Sequence, residues 1–244
     1  MLRWLRRPFR RARGGSARGS ASTITPRSEA VAVAKVGLAD LAPAPAAYLG
    51  CLGYLQLVFF ENLGRAVMAA PTPAAKSELA RATRELGDAH EVVLAELRRL
   101  GLDPAAAMEP YRVALDDYQR RTQGADWHEI LITCYLTHGF LADFFAGLAA
   151  GLPRALAERI APVVEVQQGE EILASLLAHE IDGNSRLASR LALWGRRLVG
   201  DTLLVARSVL AWPSGGTDEA RIQPVFGELV GSHTRRMDAL GLTA

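Results

Sequence analysis

The sequence has few cysteines, few aromatic residues and none of the common catalytic motifs. Its two cysteines, Cys51 and Cys134, lie far apart in apolar segments, and no CxxC pair suggests a zinc knuckle or a thioredoxin site. We interpret each as a small buried hydrophobe. A glycine-rich phosphate loop, a nucleophile elbow and an HExxH motif are also missing, which argues against nucleotide-binding, hydrolase and metalloprotease classes.

Long apolar runs are missing as well. The most apolar segment, residues 46–60, is shorter than the roughly 18 residues that a membrane-spanning helix needs, and Glu61 follows it directly. We interpret this segment as a buried helix and expect no membrane partner. The first residues lack the apolar region of a signal peptide, so we expect a cytoplasmic location.

Acidic residues do not occur before Glu29, whereas eight arginines do. We expect residues 1–44 to form a disordered, Arg-rich tail, because glycine and serine are frequent there. A basic arm of this kind can bind nucleic acid or anionic lipid. Residues 45–244 are expected to form a single helical domain.

Helix-forming residues dominate this domain, and no segment shows the period of two that is typical of a strand. Gly101 suits the end of a helix, Asp126 and Glu129 suit a capping box at the start of one, and Pro162 should kink or split another. The predicted long helices span about 46–69, 74–100, 126–150, 154–181, 185–212 and 218–240, with a short helix at 111–121.

The lengths of the connections predict the topology. Tight turns join the first helix to the second and the third to the fourth, and a long crossover separates the two pairs. This pattern is typical of an all-α, ferritin-like four-helix bundle with two antiparallel hairpins, here followed by two C-terminal helices.

Such bundles can hold two metal ions through carboxylates and ExxH motifs that face the interior. Iron prefers oxygen ligands and accepts imidazole. Glu61 is a candidate ligand, because a carboxylate after an apolar run is costly unless it is paired or binds metal. The alternative is that the helix reaches solvent there. His90 is a second candidate on an apolar seam, with a hydrogen-bonded core histidine as the alternative.

Asp143 and His138 compete for the ligand position on the third long helix. Carboxylate chemistry favours Asp143, whereas the spacing within the two hairpins favours His138, and a capping or salt-bridge role is the alternative for either. Glu165 is the candidate on the fourth helix. Gln168 follows it in an ExxQ pattern, so that a weakly ligating amide stands where imidazole belongs.

Five segments are distinctive: AYLGCLGYLQLVFFENLGRA, ELGDAHEVVLAELRRLGLDP, LADFFAGLAAGLP, RLALWGRRLVGDTL and HTRRMDALGLTA. In these segments the chain resembles actinobacterial ferritin-like proteins related to the tRNA hydroxylase that acts on 2-methylthio-isopentenyl-adenosine. The resemblance covers roughly residues 46–244. It implies a di-iron centre with ligands at Glu61, His90, Glu165 and a carboxylate of the third helix. The chain departs from the family pattern at Gly87, His138 and Gln168.

These departures lead us to expect a ferritin-like protein with a degenerate metal site, weak or no iron catalysis, and a structural or binding role. The alternative is an oxygen-dependent di-iron hydroxylase that acts on modified tRNA. A third hypothesis is RNA binding through the arginines of the tail, which would be strongly salt-dependent. Iron is the expected cofactor, and tRNA and a second copy of the chain are the candidate partners.

Overall fold

The computed structural model describes residues 37–164, 167–211 and 219–243, without the side chains of residues 167–168, 211 and 219–222. Within these ranges all regular structure is helical, as the sequence predicts. The α-helices are α1 (Pro45–Ala69), α2 (Pro73–Arg99), α3 (Pro104–Met108), α4 (Arg112–Thr122), α5 (Trp127–Ala149), α6 (Arg154–Val164), α7 (Gln167–Ile181), α8 (Ser185–Ala211) and α9 (Glu219–Ala239). Two 3₁₀ turns lie at Leu38–Leu41 and Glu109–Tyr111.

The helices form a ferritin-like bundle with two further helices packed against it. The first hairpin consists of α1 and α2, and the second consists of α5 with α6 and α7. The crossover between the hairpins contains α3 and α4. Helices α8 and α9 both pack on α5, which also packs against α1, α6 and α7. The predicted fold class is therefore confirmed.

Local sequence explains where these helices begin and end. The Thr72 side chain accepts a hydrogen bond of 3.2 Å from the backbone of Ala75, and Pro73 occupies the first helical position of α2. Gly101 adopts a φ of 76° after the same helix. The N–H of Gly101 donates to the carbonyl of Arg98, and the N–H of Leu102 donates to the carbonyl of Leu97. These bonds satisfy two of the last carbonyls of α2.

The start of α5 follows the predicted capping box in part. The Asp126 carboxylate accepts a 3.0 Å hydrogen bond from the backbone N–H of Glu129. The Glu129 carboxylate in turn accepts a 3.0 Å hydrogen bond from the backbone of Ala125, one residue before the expected position. Further along the chain, the predicted fourth helix corresponds to α6 and α7, which lie on either side of residues 165–166, outside the described ranges, and Pro162 lies within α6.

The 3₁₀ turn at Leu38–Leu41 packs against α5, although it lies within the segment that we predict as tail. Two glycines permit this close approach. A Cβ atom at Gly147 would overlap the side chain of Leu38, and one at Gly151 would overlap the carbonyl of Ala39. The packed part of the chain therefore includes residues before α1.

One helix in the described part of the chain is long and apolar enough to cross a membrane, by length and composition alone. It is α5, and 67% of its most apolar window is buried inside the protein. Such burial is typical of a core helix, and it agrees with the packing of α5 against α1, α7, α8 and α9.

Candidate functional site

His138 lies on α5 in the interior of the bundle, where it borders two cavities of about 20 Å³ each. Each cavity has room for about one water molecule. Cys134, one helical turn earlier, also borders the first cavity. The other residues around the first cavity are apolar: Phe59, Leu63, Ala82, Leu86, Gly169 and Leu173. The second cavity is also mainly apolar and has one further polar neighbour, Gln56.

The imidazole of His138 is partly buried and borders both cavities. Its ring makes an edge contact with Phe59, with 4.9 Å between ring centres. Burial lowers the pKa of His138 because the charged form loses its hydration. Glu170 opposes this shift and Arg236 adds to it. The ring is therefore neutral near pH 7.

His90 borders neither cavity but forms a polar pair with Gln56 of α1. Its Nδ1 atom lies 3.3 Å from the Gln56 side-chain oxygen, and Gln56 is only 4% exposed. Burial lowers the pKa of His90, and Glu91 partly opposes that shift. This geometry is that of a hydrogen-bonded core histidine, the alternative that the sequence leaves open.

Glu61 is exposed and faces the crossover helix α4. Its carboxylate accepts a 2.9 Å hydrogen bond from the side chain of Gln119, which also donates to Asn62 at 3.2 Å. Successive residues of a helix are rotated by about 100°. Glu61 therefore points almost opposite to Phe59, which faces the cavities. The apolar run before Glu61 did not reveal which face of α1 would be interior.

Asp143 pairs with an arginine that the sequence analysis did not select. Arg236 of α9 donates to both Asp143 oxygens, at 2.7 and 3.0 Å, and to Glu170 of α7 at 2.7 Å. We call Asp143, Glu170 and Arg236 the ion cluster. Burial acts to lower the pKa of Arg236, but the two carboxylates outweigh it and raise that pKa above its ordinary value. The guanidinium joins α9 to both α5 and α7.

Gly139 is the residue that lets Arg236 reach this position. A Cβ atom on Gly139 would overlap the guanidinium group. A glycine inside a helix costs about 1 kcal/mol relative to alanine, so it often has a packing reason. That isolated glycine in an apolar helix was the one local signal for the ion cluster, and the segment HTRRMDALGLTA contains its arginine.

His233 lies one turn before Arg236 and is 4% exposed. Its Nε2–H donates a 3.1 Å hydrogen bond to the carbonyl of Gly195 in α8. Burial lowers the pKa of His233. The bond to Gly195 opposes this shift, and the charge of Arg236 adds to it. The neutral ring therefore helps to hold α9 against α8.

We expect His233 to make the fold less stable at mildly acidic pH. As the pH falls below the ordinary histidine value of about 6.5, the unfolded chain takes up a proton on this residue that the folded chain does not. Stability should therefore fall with pH, by at most about 1.4 kcal/mol per pH unit from this group. Urea unfolding between pH 7.5 and 5 should show a shallower decline for His233→Gln, and an identical decline would contradict the assignment.

The remaining predicted ligands are those of the fourth predicted helix. Glu165 and the side chain of Gln168 lie outside the described residues, although neighbouring Gly169 borders the first cavity. Gly87 lies beside the half-exposed ring of Phe60. Within the described ranges, no three His, Cys, Asp or Glu residues come together as metal ligands would.

The described donor groups that border the two cavities do not fit a pair of iron ions. They comprise one imidazole, one thiol and one amide, whereas iron of this type needs several carboxylates. The nearby carboxylates Asp143 and Glu170 are already neutralised in part by a guanidinium. Its positive charge would repel a metal ion from the same oxygen atoms.

Comparison with known families adds one finding. A family model described as a ferritin-like domain of actinomycetes matches residues 42–213. The matched range begins just before α1 and includes both hairpins, the crossover and α8. A search of curated proteins found no match to the chain.

Proposed function

The chain belongs to the ferritin-like domain family of actinomycetes, and we propose that its bundle has a degenerate metal site. In this proposal the protein has a structural or binding role and little or no iron catalysis. The iron chemistry and the tRNA substrate implied by the sequence resemblance would then not apply to this chain.

The observation that supports the proposal is the apolar surroundings of His138. Phe59, Leu86 and Leu173 border the first cavity from three different helices. Two divalent ions beside His138 would bring four positive charges into apolar surroundings, and burial of uncompensated charge is very costly. The described residues of α1, α2 and α5 supply no carboxylate to either cavity.

Iron reconstitution tests this proposal directly. The purified protein is incubated anaerobically with ferrous iron, passed over a desalting column, and its iron content is measured per chain. We expect well below one iron per chain and no change in the absorption spectrum when oxygen is admitted. About two tightly bound irons per chain would overturn the proposal.

The alternative function is an oxygen-dependent di-iron hydroxylase that acts on modified tRNA. The neutral imidazole of His138 beside two cavities favours it, because a neutral ring is the form that binds metal. Glu165 and Gln168 would have to complete such a site. If iron is bound, Glu165→Ala should abolish its binding, whereas Glu61→Ala should not, because Glu61 faces α4.

A further inference from the structure

Two potential metal ligands other than carboxylates share one face of α5. Cys134 and His138 are four residues apart, so their Cβ atoms lie about 5–6 Å apart on neighbouring turns. Both border the same cavity of about 20 Å³, and Phe59, Leu86 and Leu173 enclose it. Cys134 is a free cysteine and is 3% exposed. His138 is also a candidate ligand of the predicted iron site, whereas Cys134 is not.

Among the described residues, no hydrogen-bond partner of His138 is found. Among the described hydrogen bonds none involves the imidazole of His138, although His90 and His233 each have one. An imidazole that borders a cavity is therefore available to a ligand, and its neutral form offers a lone pair.

We infer that Cys134 and His138 form a binding site for a single Cu(I) ion in the first cavity. The thiol loses its proton to solvent as the copper–sulfur bond forms, and no atom changes its oxidation state. Thiolate and imidazole are ligands that Cu(I) favours. The proposed function gives the protein a binding role, and this inference names Cu(I) as the ligand. It rests on the proposed function only for that binding role.

Charge decides between copper and the divalent metals. One Cu(I), one thiolate and one neutral imidazole sum to zero, so the bound state adds no net charge to an apolar interior. A Zn(II) or Fe(II) ion on the same two ligands would leave one positive charge uncompensated, which is costly.

Burial raises the pKa of the Cys134 thiol to about 12, so the free protein holds this group protonated. Copper must therefore displace a proton, and its apparent affinity should increase with pH. The same burial protects a bound Cu(I) ion from water and oxygen. Cys51 offers a matched comparison, since it is equally buried and free but lies on α1 and borders neither cavity.

The test is an anaerobic titration of the reduced full-length protein with Cu(I) in competition with a coloured Cu(I) chelator. We expect one Cu(I) per chain in the wild type and in Cys51→Ser. In Cys134→Ser and His138→Gln we expect affinity to fall by a factor of roughly 100 or more, about 2.7 kcal/mol. Zn(II) and Fe(II) at the same concentrations should not bind.

X-ray absorption at the copper edge provides a test that does not depend on the folding of any variant. The wild-type complex should show one sulfur and one nitrogen neighbour. Absence of Cu(I) uptake, loss of uptake in Cys51→Ser, or a copper ion with two sulfur neighbours would overturn the proposal. Uptake of two irons per chain would overturn the proposed function. It would not overturn the copper site, which the Cu(I) titration tests separately.

Discussion

Replacing Arg236 with alanine is expected to lower the free energy of unfolding by about 2–4 kcal/mol. The substitution leaves the carboxylates of Asp143 and Glu170 without their shared cation. Removal of one partner from a fully buried ion pair costs about 3–5 kcal/mol. The expected value is somewhat smaller, because the two carboxylates are 34% and 29% exposed and solvent screens part of their charge.

Urea unfolding at pH 7 measures this effect, and the neighbouring arginine provides a matched control. Arg235 is exposed and donates only to the Ser232 hydroxyl among its described partners. Arg235→Ala should therefore change stability by less than about 0.5 kcal/mol. Equal effects of the two substitutions would show that the ion cluster contributes nothing beyond an ordinary surface arginine.

Replacing Gly139 with alanine should also destabilise the protein, by about 1–3 kcal/mol. The added methyl group would occupy the space of the Arg236 guanidinium, so either the ion cluster or the contact between α5 and α9 must give way. Gly200 of α8 is the control, because a Cβ atom there meets nothing within 4 Å. Gly200→Ala should stabilise the helix by about 0.5–1 kcal/mol.

A double-mutant cycle connects these two predictions. If the methyl group at position 139 acts by displacing the guanidinium, then Gly139→Ala should be neutral or stabilising once Arg236 is alanine. The two effects would then be strongly non-additive, as is usual for residues in contact. Additive effects would show that Gly139 and Arg236 contribute to stability independently.

The helices could be predicted from the sequence because their signals are local. Thr72 and Pro73 begin α2, Gly101 ends it, and Asp126 caps α5, each through contacts within a few residues. The turn at Leu38–Leu41 was not predicted, because its packing depends on glycines more than 100 residues away in α5 and just after it.

The candidate site was harder to predict because its contacts join distant parts of the chain. Asp143 and Arg236 are 93 residues apart, and His90 and Gln56 are 34 apart. The sequence marked Glu61 as a carboxylate near an apolar run, but only the packing of α4 shows that it faces Gln119. Residue type indicated which side chains could bind a metal, whereas helix orientation determined which ones face the interior.

A cation supplied by the chain itself also has a thermodynamic consequence. A diffusible ion stabilises a fold by an amount that depends on its free concentration. The guanidinium of Arg236 is tethered, so its local concentration is fixed by the length of the chain and does not change with metal supply. The connection between α5 and α9 should therefore have the same strength in metal-starved and metal-rich conditions, and chelators should leave it intact.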